Sequence, residues 1–164
     1  MSDVAASFPN SAAEPEVPAD APAADTLVLA AFGPGRFAKT AERLREQAGI
    51  EAGFVVREGG RIVGSVRLWR IEIGRTAALF LGPIAVDAAS RRAGLGADLV
   101  AACVDHARAA GTGGVLLVGD PPYFSRFGFQ AAPEVRLPGP VDQGRVMWLP
   151  VTVETPTGMT RPVA

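Results

Sequence analysis

The stretch from Ala77 to Val86, AALFLGPIAV, is apolar almost throughout and leads within a few residues into RRAGLG, at Arg91 to Gly96. A strand covered on both faces has that composition. Gly82 and Pro83 interrupt it, and a proline has no amide hydrogen to give to a ladder. The expectation is a bulge that splays this strand from a neighbour and frees the backbone of Ile84, Ala85 and Val86. Behind the loop, Leu95, Leu99, Cys103, Ala107 and Ala110 follow helical spacing up to a stop at Gly111. RRAGLG therefore reads as an anion cradle. Its glycines let the backbone come close, the helix start offers free amides and the positive end of its dipole, and its arginines add charge. Alone it is a weak signal, because such turns also serve packing.

The chain has 164 residues, 48% of them hydrophobic and 20% charged, which suits one globular domain with a real core. No apolar run approaches the roughly 20 residues of a membrane span, and the start lacks the pattern of a signal peptide, so a cytoplasmic location is expected. The lone cysteine, Cys103, has no partner for a disulfide or a zinc site. Residues 1 to 25 hold five acids and no lysine or arginine, which leaves the rest of the chain at +4. A mildly basic body fits an anionic small molecule. Its scattered arginines, with no aromatic-interleaved stripe, do not fit nucleic acid.

Residues 1 to 24 are rich in alanine, proline and acids and read as a disordered or loosely attached tail. A helix around Leu27 to Phe32, capped by Asp25 or Thr26, and a second over Arg36 to Gln47 come next. Phe54 to Arg57 and Arg61 to Trp69 flank a glycine turn and read as a hairpin. Val115 to Val118 is a short strand, Asp120 caps a helix with Pro121 in its first turn, and Val146 to Val153 ends the sheet. The domain is expected over residues 25 to 154, with 155 to 164 as a tail.

The order LGPIAV, RRAGLGADLV, helix, VLLVGD and PPYFSRFGF resembles the GNAT superfamily of acyl-CoA-dependent N-acetyltransferases. AAFGPGRF together with GDPPYFSRFGF is similar to its YhbS-like branch. The resemblance covers about Asp25 to Val153. It implies an α/β (α+β) fold with a mixed, mostly antiparallel central sheet, splayed at the Ala77 to Val86 and Val115 to Val118 strands and flanked by helices. It also implies acetyl-CoA as co-substrate, no metal, and direct acetyl transfer to a primary amine of a small molecule or peptide. Neither nucleic acid nor membrane is an expected partner. The family's first strand has only Val4 to Phe8 as a poor match, and its loss would leave a sheet edge open in a monomer or cover it in a homodimer.

Carried over by position, the pantetheine arm belongs beside Ile84, Ala85 and Val86, with Phe124 also on the cofactor side. The pyrophosphate belongs on Arg91, Arg92, Ala93, Gly94, Leu95, Gly96 and Ala97. The family's tyrosine acid falls on Phe124, so Tyr123, the only tyrosine, is the candidate acid, with a packing or substrate-lining aromatic as the alternative. Neighbours on a helix point about 100° apart, so one does not simply replace the other. The splayed strand carries no acid, which leaves Glu72 as the nearest candidate base. Cys103 and the sole histidine, His106, read as structural. Phe124 and the missing strand acid motivate a second possibility, a non-catalytic acyl-CoA-binding module. A Rossmann-type dinucleotide binder would need the glycine loop in an early βαβ unit, whereas here it lies past mid-chain.

Overall fold

The computed structural model describes residues 12–32, 40–90 and 93–164. Its longest strand, β3 (Arg61–Ile73), organises the rest. On one side β3 pairs antiparallel with β2 (Ile50–Glu58) across the Gly59–Gly60 turn, and β2 in turn holds the two-residue β1 (Glu14–Pro15). On its other side lie β4 (Thr76–Leu81) and the short β5 (Ala85–Val86), both antiparallel to it. β4 meets β6 (Gly114–Val118) in parallel, and β9 (Val146–Pro150) and β7 (Gln130–Ala131) continue the sheet antiparallel. The order is β1-β2-β3-β4-β6-β9-β7. This is the mixed, mostly antiparallel sheet expected.

Alternation along β3 divides the helices between two faces. Val66 and Leu68 join Leu79, Leu81, Val115 and Leu117 under α3 (Leu95–Ala110), whose buried stripe is Leu95, Leu99, Val100, Cys103, Val104 and Ala107. Ile71 and Ile73 point to the other face, where Phe80, Leu116, Trp148 and Leu44 of α2 (Thr40–Gln47) form a second cluster. α1 (Ala21–Phe32) and α4 (Pro121–Phe124) complete the helices.

The ends of the chain depart from expectation. Residues 14 and 15 form β1, and α1 starts at Ala21, four residues before Asp25. Ionic ties hold this segment down: Arg67 pairs with Glu16 at 2.7 Å and Arg57 with Asp20 at 2.7 Å. An acidic, proline-rich composition looks unstructured only while the arginines that meet it, far along the chain, are out of view. Val4 to Phe8 and the start of the expected second helix, residues 36–39, lie outside the described residues. At the other end, β10 (Gly158–Pro162) adds to β3 at Ile71–Ile73, beyond the point where β2 stops, and runs parallel to β8 (Val135–Arg136). Val146 to Val153 contributes only its first five residues as β9.

Asp20 lies below the ordinary carboxylate range, chiefly because Arg57 donates to its side chain and next because the Val17 amide does, at 2.9 Å. Such a group contributes stability above its unfolded value, about pH 4, and loses it as the pH falls through the lower folded value. Asp20→Asn is expected to lower Tm at pH 7 and to flatten the fall of Tm below about pH 4. An unchanged acid limb in thermal melts would count against the tie. Cys103 is wholly buried, and burial pushes its thiol up. The native protein should therefore give no reaction with a thiol reagent at pH 8 and one thiol after unfolding in guanidinium.

Candidate active site

The site arises where the sheet comes apart. Among the described residues β4 and β6 share the pairs Leu79 with Val115 and Phe80 with Leu116, and none beyond. From there β6 stays with β9, while the chain leaves β4 through Gly82 and Pro83 and rejoins β3 as β5. The gap is a cavity of about 690 Å³. Leu81 and Leu117 line it from the α3 face, and Phe80 and Val118 line it from the α2 face. The splay expected from Gly82 and Pro83 is present.

Of the three edge residues, Ile84 lines the cavity, Ala85 is buried, and Val86 packs half-buried against the α3 cluster. Arg91 and Arg92 lie outside the described residues. Ala93 and Gly94 are exposed, and Gly94 takes φ +80° as the cap before α3. The first backbone bond at this helix end runs from the Asp98 amide to the Gly94 carbonyl at 2.9 Å. The amides of Leu95, Gly96 and Ala97 thus have no carbonyl of the helix to receive them, which is the arrangement an anion uses. The side chain of Leu95 itself is in the core, so what it offers a ligand is its amide.

Tyr123 and Phe124 separate as adjacent helical residues must. Phe124 enters the cavity wall, and Gly119 makes room for it, since a Cβ there would collide with the ring. Tyr123 turns instead toward the start of α3, its hydroxyl 3.4 Å from where a Cβ on Gly96 would stand. The two rings meet edge-on at 4.9 Å, and the Arg126 guanidinium stacks on Tyr123 at 4.4 Å. Tyr123 is not among the residues lining the cavity.

Glu72 is also elsewhere. It faces Ala77 four residues beyond Leu68, about 13 Å along the strand, and pairs with Arg161 of β10 at 2.6 Å. It lines a different, smaller cavity of about 260 Å³ together with Arg70 and Thr112. The acids that do line the cavity are Asp120 and Asp142. Asp120 caps α4 as its position implied, accepting the Tyr123 amide at 3.3 Å. Asp142 likewise accepts the Gly144 amide at 3.1 Å. His106 sits beside Glu51 at 3.3 Å, away from these groups. No group of three or more potential metal ligands occurs among the described residues.

Three lining arginines were not singled out from the sequence: Arg43, Arg45 and Arg145. Arg45 stands 6.0 Å over the Phe80 ring and pairs with Glu42 at 3.0 Å. A second cavity, of about 480 Å³, shares Arg45 and Pro83 with the first and lies between α1, α2 and β3. Helical spacing from Ala41 to Arg45 was the available clue. Nothing in the sequence pointed to Arg145, which reaches the cavity through a loop.

Residues 22–129 match the acetyltransferase (GNAT) family model. The chain is 33% identical over 120 residues to YhbS of Escherichia coli K12, an uncharacterised N-acetyltransferase, covering 71% of this chain and 72% of that one. The crystal structure of E. coli YhbS in complex with CoA superposes with a TM-score of 0.78 at 27% identity, over 92% of this chain and 88% of that one. A GNAT family acetyltransferase from Brucella melitensis in complex with acetyl-CoA gives 0.72 at 26% identity, over 93% and 95%.

Gly94 and Gly96 have separate physical reasons. The first needs a left-handed backbone with open space beside it, and the second lies in the helix under the Tyr123 hydroxyl. Gly94→Ala is expected to cost about 1 kcal/mol in urea unfolding, while Gly96→Ala is neutral or stabilising. Equal losses would contradict the distinction.

Proposed function

Because the chain belongs to the GNAT acetyltransferase family, and so is an N-acetyltransferase that uses acetyl-CoA, we propose that it passes the acetyl group directly to a primary amine of a small molecule or peptide. The single observation that carries this is the gap between β4 and β6 together with the first-turn amides of α3, which no carbonyl of that helix receives. These features fit the co-substrate. The amides of Leu95, Gly96 and Ala97 would hold its pyrophosphate. The edge of Ile84 to Val86 would take the pantetheine arm, and Phe124 would pack against it.

The thioester supplies an activated acetyl carbon at the gap. The acceptor nitrogen must be neutral to attack, so its extra proton passes to a lining carboxylate, Asp120 or Asp142, or through water. The C–N bond forms as the C–S bond breaks, with backbone amides at the splayed edge facing the oxyanion. The sulfur leaves as thiolate, because the residue beside it is Phe124 and a thiolate is a stable leaving group near neutral pH. In this account Tyr123 serves the cofactor, from its place over Gly96. No enzyme nucleophile is required, which agrees with the buried Cys103.

Phe124 also favours one other possibility, a module that binds acyl-CoA without turnover. Titration with acetyl-CoA, followed by thiol release over a panel of primary amines, separates the two. The expected outcome is binding with turnover, and binding without turnover across the panel would favour the module. Absence of acetyl-CoA binding would overturn both. Tyr123→Phe should avoid the loss of about 100-fold that removal of a general acid brings. A loss of that size would restore Tyr123 as the acid.

A further inference from the structure

The cavity between β4 and β6 carries an uneven set of charges. Asp120 and Asp142 both accept backbone amides at the starts of short helical turns. Arg45 has Glu42 beside it. Arg43 and Arg145 differ: Arg43 makes no ion pair among the described residues, and Arg145 spends only its Nε, donating to the Gly119 carbonyl at 3.2 Å. That bond fixes the stem of Arg145 and leaves both its terminal nitrogens without a partner among the described residues. Across the cavity, the Thr40 hydroxyl donates to the Pro140 carbonyl at 2.6 Å and ties α2 to the loop that carries Arg145. Thr40 and Arg43 are three apart on the helix and share a face. The same tie therefore brings Arg43 and Arg145 to one cavity from two elements.

Resting on the acetyl-transfer assignment above, we propose that the acceptor is an amine that also bears an anionic group, held by Arg43 and Arg145. A guanidinium presents a planar fork that matches a carboxylate or phosphate and is more weakly hydrated than an ammonium, so it gives up water for an anion at small cost. The lining also includes Phe80, Leu117 and Val141, which suit a hydrocarbon chain. Asp120 or Asp142 takes the proton of the reacting nitrogen, and the two guanidinium groups hold the anion. A diamine would place its second ammonium against Arg43 and Arg145, where like charges repel.

Three acceptors of equal length test this: 6-aminohexanoate, hexylamine and 1,6-diaminohexane, compared by kcat/KM for thiol release from acetyl-CoA. The carboxylate should lead hexylamine by about tenfold, the effect of one charge-assisted hydrogen bond, and the diamine should come last. Arg43→Glu should remove the lead of the carboxylate over hexylamine, which a merely structural role for Arg43 would not do. Arg43 is exposed, so this variant is expected to fold. Replacing the carboxylate by a phosphonate distinguishes the two anion chemistries.

Should none of the three react, binding of N-acetyl-6-aminohexanoate and N-acetylhexylamine to the CoA-loaded protein gives the same comparison without chemistry. The acid should bind more tightly, and Arg43→Glu should remove the difference. Equal or reversed preference in the wild type, or an order unchanged in Arg43→Glu, would overturn the proposal. Such a result with acetyl-CoA still bound would leave the acetyl-transfer assignment standing, whereas failure of acetyl-CoA to bind would remove that assignment.

Discussion

Leu79 with Val115 and Phe80 with Leu116 are the pairs by which the two halves of the sheet hold together. Parallel pairing is somewhat weaker per residue than antiparallel pairing, so so short a ladder could not join the halves alone. Side chains on both faces do that work. Leu79 and Val115 sit under α3, and Phe80 and Leu116 sit with Trp148 and Leu44 on the other face. The join is clamped by two cores, and everything past it is free to open. The cavity, the route taken by Ile84 to Val86, and the place of Phe124 all follow from where that pairing ends.

Much of this was legible because it is local. Proline at 83 cannot donate to a ladder, and glycine at 94 suits a left-handed turn, so the splay and the helix start could be read from a few neighbouring residues. Asp120 as a cap is of the same kind, with its amide partner three residues away. Tyr123 and Phe124 show where such inference stops. Helical geometry said that they would diverge, yet only the packing of Phe124 against Gly119 decides which of them reaches the cavity.

The rest depends on partners distant in sequence. The segment from Glu14 to Asp20 is held by Arg57 and Arg67, about 40 to 50 residues away, and β10 returns to β3 across almost 90 residues. No composition window contains both members of such a pair. Glu72 is instructive for the same reason. It lies on the long strand that pairs with β4, but the pairing register sets it opposite Ala77, away from the gap and beside Arg161.

The gap that opens below Phe80 and Leu116 is lined from both faces of the sheet. The direct transfer proposed above holds acetyl-CoA and acceptor in that gap together and so goes through a ternary complex. Its double-reciprocal initial-rate plots intersect, in contrast to the parallel lines of a ping-pong enzyme.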